Sequence, residues 1–166
     1  MHTPFRAALV GLTVLIGDQL SKLSAGSLAP SGPSDTPPWS FGVLSIVPVR
    51  NGGLIGGIGV ERSDLLPVLA VLAVLALLAL SRRLTAGSTL GAALALAGAT
   101  GNLIDRVRLG HVFDFLAVDL GPLQVILNLA DVALFVGLPM LVLATHGARA
   151  HSSSNRRDED PRGWQT

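Results

Sequence analysis

Residues 98–115, GATGNLIDRVRLGHVFDF, and residues 128–131, NLAD, decide how this chain folds. Together they hold Asp105, Asp114 and Asp131 with Asn102, Arg106 and Asn128, between apolar runs long enough to enter a bilayer. Charge is scarce in the chain as a whole. Of its 166 residues 14% are charged and 49% hydrophobic, too apolar a balance for a soluble domain of this size. Ionisable groups in such a setting turn away from lipid and toward one another, so the cluster reads as a site.

The composition also removes whole classes of function. A net charge of +1 and 4% aromatic residues give nucleic acid neither a field nor a stacking surface. The absence of Cys excludes disulfides and thiolate metal sites, and the four His are scattered at no metal-binding spacing, so neither a metal nor another cofactor is expected. Catalysis is left to carboxylates, hydroxyls, Lys and Arg.

Outward from the cluster, residues 84–104 are uncharged and rich in Ala, Gly and Leu, which suits a membrane helix packed through small residues. Residues 124–145 form a further span with Asp131 as its only charge, and residues 65–80 form another, with Pro67 in its first turn where its missing N–H costs nothing. The first span covers about 7–23. Arg6 and the apolar run behind it resemble the start of a signal peptide, but Asp18, Gln19, Ser21 and Lys22 follow where a cleavage site would be, and Asp18 and Lys22 can pair at i, i+4. Residues 25–62 carry Pro, Gly and Ser, then extended segments over 41–49 and a turn at Arg50-Asn51-Gly52-Gly53. They predict a small β element whose glycines, Gly53 among them, admit a peptide backbone. The polar tail, 147–166, is expected to be disordered. The fold class is therefore a membrane all-α protein: a four-transmembrane-helix bundle over residues 1–146 with a small extracytoplasmic β-rich cradle.

Basic residues orient it. With both termini inside, the cytoplasmic side holds Arg6, Arg82, Arg83, Arg149, Arg156, Arg157 and Arg162, against Lys22, Arg50, Arg62, Arg106 and Arg108 outside. Four alternating spans then bring Asp18, Lys22, Asn102, Asp105, Arg106, Asn128 and Asp131 to one end, just below the extracytoplasmic surface, with Asn51 nearby. A transporter needs polar groups through the membrane or a site at its midplane, so this one-sided arrangement favours chemistry on something arriving from the outer leaflet. Two carboxylates that share a site can hydrolyse an amide without metal or thiol, because only one ionises readily. Asp114 and Asp131 are the expected pair, with Asp114 on an apolar segment, 111–118, that re-enters the membrane surface. Asp105 is expected to pair with its neighbour Arg106, and Asp119, before Leu-Gly-Pro, to sit in an exposed turn.

In order, DQLSK (18–22), RNGG (50–53), GNLIDR (101–106), GHVFDF (110–115) and NLAD (128–131) resemble the bacterial lipoprotein signal peptidases, signal peptidase II. The resemblance runs from about residue 6 to 145. It implies an aspartic endopeptidase of the bacterial cytoplasmic membrane that acts as a monomer, its partners membrane lipid and prolipoproteins cleaved on the amino side of a diacylglyceryl-modified cysteine. It further implies that Asp114 and Asp131 are catalytic, that Asn51, Gly53, Asn102, Arg106 and Asn128 hold substrate or orient the pair, and that Asp18, Lys22 and Asp105 support the structure. The chain departs from the family's usual pattern in having Leu54, Ile55, Gly56 and Gly57 after the Asn-x-Gly turn, and Leu127 and Val132 around NLAD where Phe and Ser are common.

Overall fold

The computed structural model describes residues 3–28, 39–53, 65–81 and 89–158. In chain order the elements are α1 (Thr3–Ser27), β1 (Trp39–Phe41), β2 (Leu44–Asn51), α2 (Leu66–Ser81), α3 (Thr89–Leu109), β3 (Val112–Asp119), β4 (Gln124–Leu127) and α4 (Leu129–Asp158). Helix α3 is central and packs against α1, α2 and α4.

The small residues of α3 explain its position. Gly91, Ala95 and Gly98 recur at helical spacing and are buried, and opposite them on α4 lie Ala130, Leu134 and Gly137. A Cβ on Gly98 would collide with the Ala130 carbonyl oxygen and lie 2.8 Å from Leu134 Cγ, so the two backbones approach as only glycine allows. Gly98→Ala is therefore expected to destabilise the protein by about 1–3 kcal/mol through overpacking. Gly17→Ala, whose Cβ meets nothing within 4 Å, should leave stability unchanged or raise it by about 0.5–1 kcal/mol. Thermal denaturation in detergent compares them; equal melting temperatures would contradict the close α3–α4 contact.

Several expected boundaries move. Helix α3 runs past Asp105 and Arg106 to Leu109 and stops at Gly110, whose φ of 77° and N–H bonded to the Arg106 carbonyl (3.0 Å) make a glycine C-cap. Residues 84–88 of the expected third span lie outside the described residues. The fourth span does not begin at 124, because residues 124–127 are strand β4 and the helix opens only after Asn128. Helix α4 then continues to Asp158, through twelve residues expected to be disordered. Ala148, Arg149 and Ala150 propagate a helix already nucleated, and after Pro139 no proline recurs until Pro161. Among the described residues no helix is long and apolar enough to cross a membrane. Helix α2 is uncharged but has 16 residues, about 24 Å, and the longer helices carry polar groups.

The cradle is a four-stranded antiparallel sheet in the order β1-β2-β3-β4. Its first half comes from the Gly- and Pro-rich segment, as expected; its second half comes from the connection between α3 and α4, so residues 112–119 form a strand and not a re-entering segment. Alternating burial in β3 explains this, with Phe115 and Ala117 covered and Leu116 and Val118 half-buried. The segment 54–60 lies outside the described residues.

One irregularity positions the site. Ile46 pairs with Leu116 and Val49 with Asp114, so Val47 and Pro48 oppose Phe115 alone, a β-bulge where proline's missing N–H is tolerated. A one-residue slip reverses the facing of everything beyond it. The bulge thus brings Asn51 onto the face of the sheet that carries Asp114.

Candidate active site

Helix α4 begins with a reciprocal cap. Asn128 Oδ1 accepts the Asp131 N–H (2.9 Å) and the Asp131 carboxylate accepts the Asn128 N–H (3.2 Å), the spacing of a capping box. A third free N–H, that of Ala130, donates to Asp18 Oδ1 of α1 at 2.9 Å. Both NLAD polar residues are therefore fixed by the start of the helix, and α1 is tied to the same point.

Three asparagine amides then aim at the carboxylates, each oriented by a group that can only donate. Lys22 Nζ donates to Asn102 Oδ1 (3.2 Å), which turns Asn102 Nδ2 to Asp131 Oδ1 (2.8 Å). The Asp131 N–H occupies Asn128 Oδ1, so Asn128 Nδ2 faces Asp114 Oδ1 (2.6 Å) and Asn102 Oδ1 (3.1 Å). The Gly53 N–H occupies Asn51 Oδ1 (2.9 Å) and leaves Asn51 Nδ2 to Asp114 Oδ2 (2.9 Å). An ammonium or a peptide N–H has no acceptor to offer, so none of these amides can flip without losing a bond. Both oxygens of each carboxylate accept a hydrogen bond, and each retains capacity for a water or a proton.

Behind the amides lies a buried charge cluster. Lys22 Nζ lies 2.9 Å from Asp18 and 2.8 Å from Asp105, and with Asn102 these use all three of its donors. Asp105 also accepts from the Phe113 N–H (3.2 Å), which docks β3 onto α3. Gln19 bridges the acids through Nε2, 3.1 Å from Asp18 and 3.2 Å from Asp105. Its amide completes acceptors that Lys22 cannot reach alone; sequence reasoning noted Gln19 only as polar, although its place between Asp18 and Ser21 marked it.

The expected Asp105–Arg106 pair is not formed. Neighbours on a helix point about 100° apart, so Asp105 turns inward to Lys22 while Arg106 reaches the Asn102 carbonyl (3.2 Å) and the Gly53 carbonyl (3.1 Å). Arg106 holds the Asn51–Gly53 turn over the site. Asp119 lies at the exposed end of β3 and closes the turn by accepting the Gly121 N–H, as expected.

Asp114 and Asp131 line one small cleft with Asn51, Leu127 and Phe135. A larger groove between α1, α2 and α3 is lined by no titratable group among the described residues. Burial pushes the Asp114 carboxyl above the usual carboxylate range; the Asn51 amide opposes this, and the neighbouring Asp131 charge adds to it. Two carboxyls in one cleft, of which only one ionises readily, are the pairing that amide hydrolysis by two acids requires.

The signal peptidase II (SPase II) profile matches residues 10–146, the stretch that contains every one of these side chains. The chain belongs to the signal peptidase II family. It is 36% identical over 172 residues to the lipoprotein signal peptidase of Methylobacterium radiotolerans, covering 96% of this chain and 99% of that one. With the lipoprotein signal peptidase of Halothermothrix orenii it shares 35% identity over 138 residues, 81% of this chain and 91% of the other. A bacterial membrane enzyme solved at 2.3 Å has the same fold, with a TM-score of 0.73 at 23% identity, over 97% of this chain and 94% of that one. As a signal peptidase II, the protein is an aspartic peptidase that cleaves signal peptides from prolipoproteins.

Proposed function

We propose that Asp114 and Asp131 are the catalytic pair, that they cut the precursor on the amino side of its diacylglyceryl-modified cysteine, and that they do so at the outer face of the cytoplasmic membrane. The observation that carries this is the convergence of locked amide donors on two carboxylates that share a cleft. The protonated member of the pair donates to the scissile carbonyl oxygen, while the ionised member takes a proton from the attacking water. Water adds to the carbonyl carbon, the C–N bond breaks as the leaving amine is protonated, and the pair returns to one shared proton. Asn51, Asn102 and Asn128 hold the two carboxyls in register; Arg106 and Gly53 fix the turn beside which the peptide backbone lies.

The membrane part of the proposal rests on an inside-out distribution. In α1 the buried positions are Ala7, Gly11, Asp18, Lys22 and Ala25, while Leu9, Leu12, Ile16, Leu20 and Leu23 face outward. Helix α4 repeats this, burying Ala130, Ala133 and Gly137 and exposing Val132, Phe135 and Val136. Such an exterior suits lipid and not water and supports four spans, and the distribution of Lys and Arg supports both termini being cytoplasmic. The 1–146 unit is then the membrane peptidase and 147–166 its cytoplasmic tail. A site completed within one chain supports action as a monomer.

The test is cleavage of a lipidated precursor across pH in the presence of EDTA. Activity should survive the chelator and fall on the alkaline side as the shared proton is lost. Asn51 donates to the ionised form of Asp114, so Asn51→Ala should raise the Asp114 pKa further and move that alkaline limb to higher pH, with a lower maximal rate. Loss of activity in EDTA, or an alkaline limb that moves down in Asn51→Ala, would contradict the reading.

A further inference from the structure

Strand β4 forms one end of the sheet, and its outer edge is unpaired among the described residues. Two hydrogen bonds decide which peptide groups lie on that edge. The Asp119 N–H donates to the Val43 carbonyl, on the β2 side, at 2.8 Å, whereas the Leu120 N–H donates to the Leu123 carbonyl across the β3–β4 turn at 2.8 Å. Successive residues of a strand direct their peptide groups to opposite neighbours, so Val118 and Leu116 face β4, where their partners are Val125 and Leu127. Gln124 and Ile126 alternate with these, and their N–H and C=O groups point away from β3 to the open edge.

That edge leads into the catalytic cleft. Ile126 and Leu127 line the cleft with Asp114 and Asp131, and Asn128, the next residue, caps α4. Edge strands are commonly closed by a proline, a charge or a bulge, and residues 124–127 have none of these. The other edge, β1, contributes no described residue to the cleft.

We infer that the open edge of β4 holds the mature side of the precursor, whose first residues after the cut add to the sheet as a fifth, antiparallel strand. This rests on the proposed cleavage ahead of the lipid-modified cysteine and on the membrane-spanning reading. Before the cut lies the signal peptide, held in the membrane, so the chain after the cut leaves the helix ends. Strand β4 runs from its turn toward the start of α4, and a chain that leaves the cleft along it runs the opposite way. Level with Ile126 in the ladder is Ala117, three residues or about 10 Å from Asp114. With the cysteine counted first, the third mature residue then exchanges both its hydrogen bonds with Ile126, and the fifth with Gln124. Pairing of this kind reads backbone, so it accepts any side chain at these positions and excludes proline, which has no N–H to give.

Lipidated precursor peptides in which an ester replaces one amide test this on the unaltered protein, since each ester removes a single N–H. Esters that remove the N–H of the third or the fifth mature residue should each lower kcat/KM by about 2–10-fold, the worth of one net hydrogen bond, and those at the fourth and sixth by much less. Equal losses at successive positions, or no loss at any, would overturn the pairing. Gln124→Pro tests whether the partner is β4. It removes an N–H that faces away from β3, a change that edge strands tolerate, and its ring keeps a fifth strand off. The variant should cut the all-amide precursor about 2–10-fold more slowly and lose little more to the ester at the fifth residue. Full ester sensitivity in the folded variant would overturn the assignment to β4. Mass spectrometry of the products keeps the two readings apart: a cut elsewhere than before the cysteine refutes the proposed cleavage, whereas a cut there with a flat ester scan refutes the pairing alone.

Discussion

Asp114→Asn and Asp131→Asn are each expected to lower cleavage of a lipidated precursor by about 10²–10⁴-fold or more, because each removes one member of a pair that must both give and take a proton. Each variant also turns an amide N–H toward a donor that the carboxylate had accepted, so both should melt somewhat below the parent. Robust cleavage by either folded variant would remove the pair from the chemistry.

Lys22→Met is expected to be the most destabilising single change in the site. It leaves Asp18 and Asp105, both fully buried, without their counter-charge, a situation that typically costs about 3–5 kcal/mol. It also frees Asn102, whose amide points at Asp131 because Lys22 occupies its oxygen. A folded remnant should therefore cleave poorly as well. Adding Asp105→Asn should recover part of the stability by removing one orphaned charge, while Asn102 stays free to flip and activity stays low. Thermal denaturation in detergent with a parallel cleavage assay checks both; a Lys22→Met protein as stable as the parent would mean that the buried cluster is not held by this ion pair.

The spacing of polar residues within each helix was legible from the sequence, since i, i+4 and i, i+3 positions share a face whatever surrounds them. That is why Asp18 with Lys22, and Asn102 with Asp105, assemble as read. The partners of Asp105 were less legible. Adjacency in sequence suggested Arg106, but on a helix adjacent residues diverge, and Lys22 lies eighty-three positions away in the chain. The start of α4 was legible in principle. Asn128 and Asp131 have the spacing of a helix cap before an apolar run, and Gly121-Pro122 marks a turn, yet residues 123–127, apolar except for Gln124, read equally as helix or strand. The β-bulge at Val47 and Pro48 could not be read at all, because a proline in a strand allows a bulge without requiring one. That unreadable residue is what gives Asn51 its place beside Asp114.

The central claim, that Asp114 and Asp131 share one proton, is tested most directly by infrared spectroscopy of the protein carrying isotope-labelled aspartate. At neutral pH the spectrum should contain the carbonyl stretch of one protonated aspartic acid, lost on raising the pH together with peptidase activity and lost from both Asp114→Asn and Asp131→Asn. A spectrum with no protonated aspartic acid while the enzyme is active, or a band that persists in both variants, would contradict the account.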